Sequence, residues 1–187
     1  MSHIQEEIKR INAELPSTVR LVAVSKYHPV EALQEAYEAG QRIFGESKVQ
    51  EMTQKYEVLP KDIEWHFIGH LQTNKIKYMA PYVSLIHGVD SYKLLVEINK
   101  QAIKAGRIIP CLLQIHIAQE ETKFGFSTDE CRKMLQEGSW KALENVQISG
   151  VMGMATNTED EEEIAKEFDT LAYFFHEIKD TYFKDSP

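Results

Sequence analysis

Lys26 is the residue in this sequence best suited to covalent chemistry. It closes the apolar run Leu21-Val22-Ala23-Val24-Ser25, and strand alternation sets Val22, Val24 and Lys26 on one face. If that face is a barrel interior, desolvation favours the neutral amine that a Schiff-base nucleophile requires. A lysine at a strand end whose ammonium reaches solvent satisfies the same pattern. His66, His70, His87 and His116 also fall near strand ends, where a metal-dependent hydrolase on a barrel would place its ligands. A His-x-His pair is absent, and Lys26 adds positive charge to the same mouth. Structural, hydrogen-bonded histidines are therefore the simpler reading. Trp65, Phe67, Met152 and Met154 read as core or pocket wall, and Asn74 as a helix cap. Glu46 reads as an acid behind the site and Glu51 as a solvated helix residue, either able to pair with a lysine.

These residues must be held by the elements around them. Residues 2–14 form a helix with Ser2 and Gln5 at capping-box spacing and Ile4, Ile8 and Ile11 at helical intervals. Pro16 stops it. Strands are expected at 21–24, 42–45, 64–68, 83–88, 109–117 and 146–152, each followed by a helix: 29–39, 47–58, 73–80, 91–105, 128–137 and 159–182. Pro29 suits a first turn, Gly40 and Gly106 suit helix ends, and Ser127 with Glu130 repeats the capping box. The run from Glu159 to Glu163 reads as a solvated first turn placed against the positive end of a helix dipole, in preference to a partner-binding tail.

One leading helix followed by six βα units means an α/β protein with a parallel sheet covered by helices, in a single domain over residues 1–187. An open doubly wound sheet and a (β/α)8 barrel both fit. The first strand runs into Ser25-Lys26-Tyr27-His28-Pro29 without a glycine, which argues against nucleotide binding at the usual place. A full barrel has eight units and about 250 residues, so a barrel here lacks two units at its carboxyl-terminal end.

Twenty-nine acidic residues against 21 basic ones give a net charge of −8, the wrong sign for a nucleic-acid-binding surface. No apolar run approaches the roughly 20 residues of a membrane span, and Met1 to Arg10 is a charged amphipathic stretch unlike a signal peptide. Cys111 lies in an apolar run and Cys131 on a helix, which suggests neither a disulfide framework nor a cysteine metal site. A reducing cytoplasm is the expected compartment.

Several strand-end segments resemble the pyridoxal phosphate homeostasis proteins. They are Ala23-Val24-Ser25-Lys26, Phe44-Gly45-Glu46-Ser47-Lys48-Val49-Gln50-Glu51, and Trp65-His66-Phe67-Ile68-Gly69-His70-Leu71-Gln72-Thr73-Asn74-Lys75. Gln114-Ile115, Glu120-Glu121-Thr122-Lys123-Phe124-Gly125 and Gly150-Val151-Met152 continue the match in order. The Trp-His-Phe-Ile-Gly segment with Gln72 and Asn74-Lys75 is its most specific part.

The resemblance implies a (β/α)8 TIM barrel similar to the amino-terminal domain of alanine racemase. It implies pyridoxal 5′-phosphate held as an internal aldimine on Lys26. With the strand-end reading, the candidate cofactor-binding set is Lys26, Ser47, His66, His70, Asn74 and Met152. The implied role lies in vitamin B6 and amino-acid homeostasis, without catalytic turnover, with pyridoxal phosphate-dependent apo-enzymes as recipients of the cofactor. A single-domain barrel is compatible with a monomer. Three departures stand out. Ser47 replaces the family's asparagine, and His116 follows Gln114-Ile115 where an asparagine is usual. The Ser-Met-Gly-Met-Ser and Arg-Ile-Gly-Thr segments, to which the resemblance assigns phosphate contacts, are not in this sequence. A truncated chain holding the aldehyde end of the site, with weaker cofactor binding than an extended one, is therefore expected.

Three other functions compete. A racemase needs a base on each face of the substrate carbon, and the second, β-rich domain that supplies one of them in that pattern is missing here. A metal-dependent hydrolase would use His66, His87 or His116. A pure interaction module would bind no ligand. A yellow solution marks the aldimine, and loss of function with a chelator marks the metal.

Overall fold

The computed structural model describes residues 1–121 and 124–186, and every structural statement below concerns these. Helix α1 (His3–Glu14) opens on the anticipated capping box. Ser2 Oγ accepts the Gln5 N–H and Gln5 Oε1 accepts the Ser2 N–H, both at 3.2 Å. The helix packs on α2 (Val30–Glu38), where Gln5 Nε2 donates to the Glu35 carbonyl at 3.1 Å. Pro29 occupies the cap position of α2 rather than its first turn.

The remaining elements follow in strict alternation. Strand β1 (Ala23–Val24) precedes α2. Then come β2 (Ile43–Glu46), α3 (Val49–Val58), β3 (Glu64–Phe67), α4 (Ile76–Met79) and β4 (Leu85–Val89). After these come α5 (Tyr92–Ala105), β5 (Ile109–Gln114), α6 (Thr128–Glu137), β6 (Val146–Met152) and α7 (Glu161–Tyr182). Short 3-10 turns at Thr73–Lys75 and Ser139–Ala142 precede α4 and follow α6. The second capping box, Ser127 with Glu130, opens α6. The acidic run does form the first turn of α7, with Asp160 as its cap: its carboxylate accepts the N–H groups of Glu162 and Glu163 at 3.1 and 3.3 Å.

Two strands are shorter than periodicity predicts, for local reasons. At the start of β1, the Leu21 carbonyl is taken by the buried Gln41 side chain, whose Nε2 donates to it at 2.8 Å. After β5, His116 N–H donates to the Phe126 carbonyl and Phe126 N–H donates to the Gln114 carbonyl, both at 2.8 Å. Ile115 N–H still donates to the Met152 carbonyl at 2.8 Å, so the chain leaves the ladder at His116, drawn toward the segment before α6.

The strands are all parallel and lie in the order β1-β2-β3-β4-β5-β6. A doubly wound sheet would reverse direction at a switch point. Sequential order is that of a (β/α) barrel, so the ambiguity left by the alternating pattern is resolved toward the barrel type.

Strand alternation gives the sheet two distinct faces. Register aligns Phe44 with Trp65, Phe67 with Ile86, and Ile86 with Cys111. With Leu113 these residues join Leu33, Met52, Ile76, Met79, Leu95, Ile98, Cys131 and Phe174 in the buried core between sheet and helices. Burying a large apolar side chain completely contributes about 1.5–3 kcal/mol, so this layer carries most of the stability. Val24, Gly45, His66, Leu85, Leu112, Gly150 and Met152 point the other way. That concave face is only partly covered; Val24 is 53% exposed.

Candidate functional site

In barrels of this kind, ligands bind where the strands end at their carboxyl termini. The strand ends here form one close-packed file. Gly69, just past β3, lies so near Ser47 that an added Cβ would sit 2.4 Å from the Ser47 carbonyl oxygen. A Cβ on Gly88 of β4 would sit 3.0 Å from the Gly69 oxygen and 3.2 Å from Gln114 Oε1. Glycine at position 69 is therefore a steric requirement, because no side chain fits between these two backbones.

Lys26 sits on a turn directly after β1. His28 N–H donates to the Ser25 carbonyl at 3.1 Å, which places Lys26 and Tyr27 at the two central positions. Tyr27 has φ +68° and is the described non-glycine residue with positive φ. That position of a type II turn normally takes glycine, and a tyrosine there costs on the order of 1 kcal/mol. Val22 and Val24 lie on the concave face, and Lys26 continues their parity; it is partly exposed. Its Nζ lies 6.0 Å from the Tyr27 ring centroid, and Lys48 Nζ lies 5.5 Å from the same ring.

Beneath this turn is a buried charged network. Lys55, on α3, is 5% exposed. Its ammonium donates to the Ser25 carbonyl at 2.8 Å, to Glu46 Oε2 at 2.9 Å and to Glu51 Oε2 at 2.8 Å. All three ammonium donors are thus used. Ser25 Oγ donates its one proton to Glu46 Oε2 and lies 3.3 Å from the Gly45 carbonyl oxygen. Glu51 Oε2 also accepts the Tyr27 N–H at 2.8 Å. Glu46 is fully buried, and burial pushes its carboxyl above the ordinary value against the opposing bonds from Ser25 and Lys55. Burial pushes Glu51 the same way, but the bonds from Lys55 and the Tyr27 N–H outweigh it and leave that carboxyl below its ordinary value. Glu46 therefore stands behind the site as anticipated. Glu51 does not: it is a half-buried member of the network, not a solvated helix residue. Lys55 was missed by the sequence reading, and its signal was the Glu51–Lys55 spacing of four on one helix.

The histidines separate into two groups. His66 and His87 lie mid-strand on the concave face, with His66 Nδ1 2.9 Å from His87 Nε2. Burial lowers both pKa values to about 4, helped for His66 by the His87 ring and Arg20. His70 lies at the mouth. Its ring stacks on Phe124 with centroids 4.0 Å apart, and its Nδ1 is 3.7 Å from Asp90 Oδ2. Among the described residues no group of three or more His, Cys, Asp or Glu could hold a metal ion. Two of these histidines hydrogen-bond each other and a third is stacked on an aromatic ring.

Ser47 and His70 line one cleft of about 490 Å³, together with Glu51, Phe67, Gln72 and Lys75. Met152 lies on the concave face of β6 opposite Gln114. Asn74 is exposed within the 3-10 turn, and that turn has no side-chain cap, so its reading as a cap is corrected. Trp65 and Phe67 are core at 1% exposure each, whereas Met154 is 46% exposed, because the chain has already left the sheet after Met152. Gln119 and Glu120 tie the loop after β5 to the loop after β6. Gln119 N–H donates to Thr156 Oγ1, and Asn157 N–H donates to Glu120 Oε1, both at 2.8 Å. Thr122 and Lys123 of the family-like segment lie outside the described residues.

A parallel sheet in sequential order, with a lysine and polar groups converging at its carboxyl edge, defines a ligand-binding protein of the (β/α) barrel class. Comparison with known proteins narrows this. The family model of the alanine racemase N-terminal domain matches residues 1–186. The pyridoxal phosphate homeostasis protein of Aquifex aeolicus is 36% identical over 164 residues, covering 87% of this chain and 71% of that protein. Among solved structures, PipY of Synechococcus elongatus with pyridoxal phosphate bound superposes with a TM-score of 0.86 at 34% identity, covering 96% of this chain and 83% of that one. An alanine racemase of Clostridium difficile superposes with a TM-score of 0.78 over 95% of this chain and 47% of its own, but at 14% identity it shares the fold alone. The chain belongs to the alanine racemase N-terminal domain family, among the pyridoxal phosphate homeostasis proteins.

Proposed function

We propose that this chain binds pyridoxal 5′-phosphate at its strand ends and serves vitamin B6 and amino-acid homeostasis by carrying or buffering the cofactor. The observation that carries this reading is the placement of Lys26. It is a partly exposed primary amine at the carboxyl end of β1, on a turn whose two flanking residues are pinned by hydrogen bonds. Bound there, the cofactor supplies an aldehyde that a lysine amine can hold covalently. The donor set suits that end of the molecule: Ser47 offers a hydroxyl and His70 an imidazole in the adjoining cleft. His66, Asn74 and Met152 complete the proposed contact set. Of these, the buried His66 already bonds His87 and the exposed Asn74 lies outside the cleft lining, so Ser47 and His70 are the better supported contacts.

The chain's own residues hold rather than turn over. Ser25, Tyr27, Glu46, Glu51 and Lys55 orient the amine-bearing turn. The stacked His70 and Phe124 rings stand at the mouth. The relatives are named as homeostasis proteins, which favours a binding role without turnover. The reading extends to a cytoplasmic monomer that hands cofactor to pyridoxal phosphate-dependent apo-enzymes. No helix among the described residues is long and apolar enough to cross a membrane. The test is to mix the protein with pyridoxal phosphate, reduce with borohydride to convert a carbon–nitrogen double bond to a secondary amine, and map the label by mass spectrometry. A label on Lys26 that disappears in Lys26→Ala is expected; a label elsewhere, or none, would overturn the reading.

A further inference from the structure

Lys26 stands between two residues tied to the same helix. Ser25 before it is 4% exposed, and its carbonyl accepts from both His28 N–H and Lys55 Nζ. Tyr27 after it adopts φ +68°, a conformation that side chains other than glycine rarely take. Tyr27 is 73% exposed, so packing of its side chain does not enforce that conformation. What meets the Tyr27 backbone is the Glu51 carboxylate, which accepts its N–H at 2.8 Å. The same oxygen accepts from Lys55 at 2.8 Å, so the two flanks of Lys26 are joined through one ammonium and one carboxylate on successive turns of α3. Glu51 in turn sits in the first turn of that helix, where its charge is favoured.

We propose that Glu51 is a positioning residue that holds Tyr27 in its left-handed conformation and so fixes the turn presenting Lys26. The inference rests on the reading of Lys26 as the attachment residue and adds what keeps that residue aimed. It also explains why a strained tyrosine survives where a type II turn would take glycine. Glycine at 27 would adopt the conformation unaided, making Glu51 dispensable for the turn.

A double-mutant cycle between Glu51→Ala and Tyr27→Gly tests this. The first readout needs no cofactor: hydrogen exchange at the His28 N–H, the bond that closes the turn. Glu51→Ala should speed this exchange at least tenfold in the Tyr27 background and less than threefold in the Tyr27→Gly background. The second readout is the rate of borohydride trapping on Lys26 with pyridoxal phosphate, which should fall about tenfold in Glu51→Ala and recover in the double variant. A thermal melt of each variant records global stability. Unchanged exchange in Glu51→Ala, or an equal effect in both backgrounds, overturns the proposal, since Glu51 would then act only on overall stability. If wild-type protein is trapped away from Lys26, the functional reading fails, while exchange at His28 still decides whether Glu51 holds the turn.

Discussion

His66 Nδ1 and His87 Nε2 lie 2.9 Å apart on the concave face of the sheet, so one imidazole must donate and the other accept. Both are neutral in the folded chain and resist protonation until about pH 4. In the unfolded chain they take up protons near pH 6.5. Between these values the unfolded state binds more protons, so stability is fully present above about pH 6.5 and is lost as pH falls toward 4. For His66 alone the full effect is roughly 3 kcal/mol. Glu46 acts in the opposite sense, because its raised pKa lets the folded state take up its proton first. Urea midpoints measured between pH 7 and 5 in wild type and in a variant that keeps Glu46 but lacks both imidazoles therefore isolate the histidines. A fall in midpoint over that range is expected, flattened in a variant with His66→Gln and His87→Gln. A wild-type midpoint independent of pH would contradict the pairing.

Cys111 and Cys131 are buried, free thiols, and burial pushes both up to about pH 12 in pKa. The reactive form is the thiolate, so neither should react with a disulfide reagent in the native chain. Two equivalents should react after denaturation, at a rate set by unfolding. Fast labelling of either cysteine without denaturant would mean that the layer between sheet and helices opens locally.

The elements were legible because their signals are local. Periodicity, capping boxes and terminal glycines place helices and strands within a few residues, and both capping boxes form as the sequence indicates. Strand order was not legible, since six alternating units suit either an open sheet or a barrel, and pairing is decided between distant segments. At the site, Lys26, Ser47 and His70 could be found from their places after strands. The role of Glu51 could not, because its partner, the Tyr27 N–H, comes from a turn 24 residues away. Lys55 reads as an ordinary surface lysine until Glu46, from strand β2, is placed against it. Met154 shows the converse error: an apolar residue near a strand is taken for core when the strand ends two residues earlier.

Gly69 allows the segment after β3 to close on Ser47. A Cβ there would lie 2.8 Å from Ser47 Cα as well as 2.4 Å from its carbonyl oxygen, and backbone cannot move aside as a flexible side chain can. Gly69→Ala should therefore cost about 1–3 kcal/mol, in the range of overpacked substitutions, and separate Ser47 from His70 in the cleft. Chemical denaturation gives the first quantity and the cofactor off-rate the second. Gly40→Ala is the control: its Cβ would meet nothing within 4 Å, so its cost is only that of its positive φ. Equal retention of cofactor by wild type and Gly69→Ala would remove Ser47 from the proposed contacts.

His70 and Phe124 join two loops. One follows β3 and the other precedes α6, and the rings stack with an interplanar angle of 13°. Both residues are largely exposed, Phe124 at 53%, so the contact is worth the aromatic pair itself, about 0.5–1.5 kcal/mol. That converts to roughly a two- to tenfold change in an equilibrium or rate that depends on the mouth staying closed. Phe124→Ala should raise the pyridoxal phosphate off-rate by that factor and His70→Ala by more, since it also removes the proposed imidazole contact; Phe124→Ala should add little in the His70→Ala background, where the stack is already broken. If Phe124→Ala multiplies the effect of His70→Ala in the double variant, the rings act separately and the stack does not hold the mouth closed.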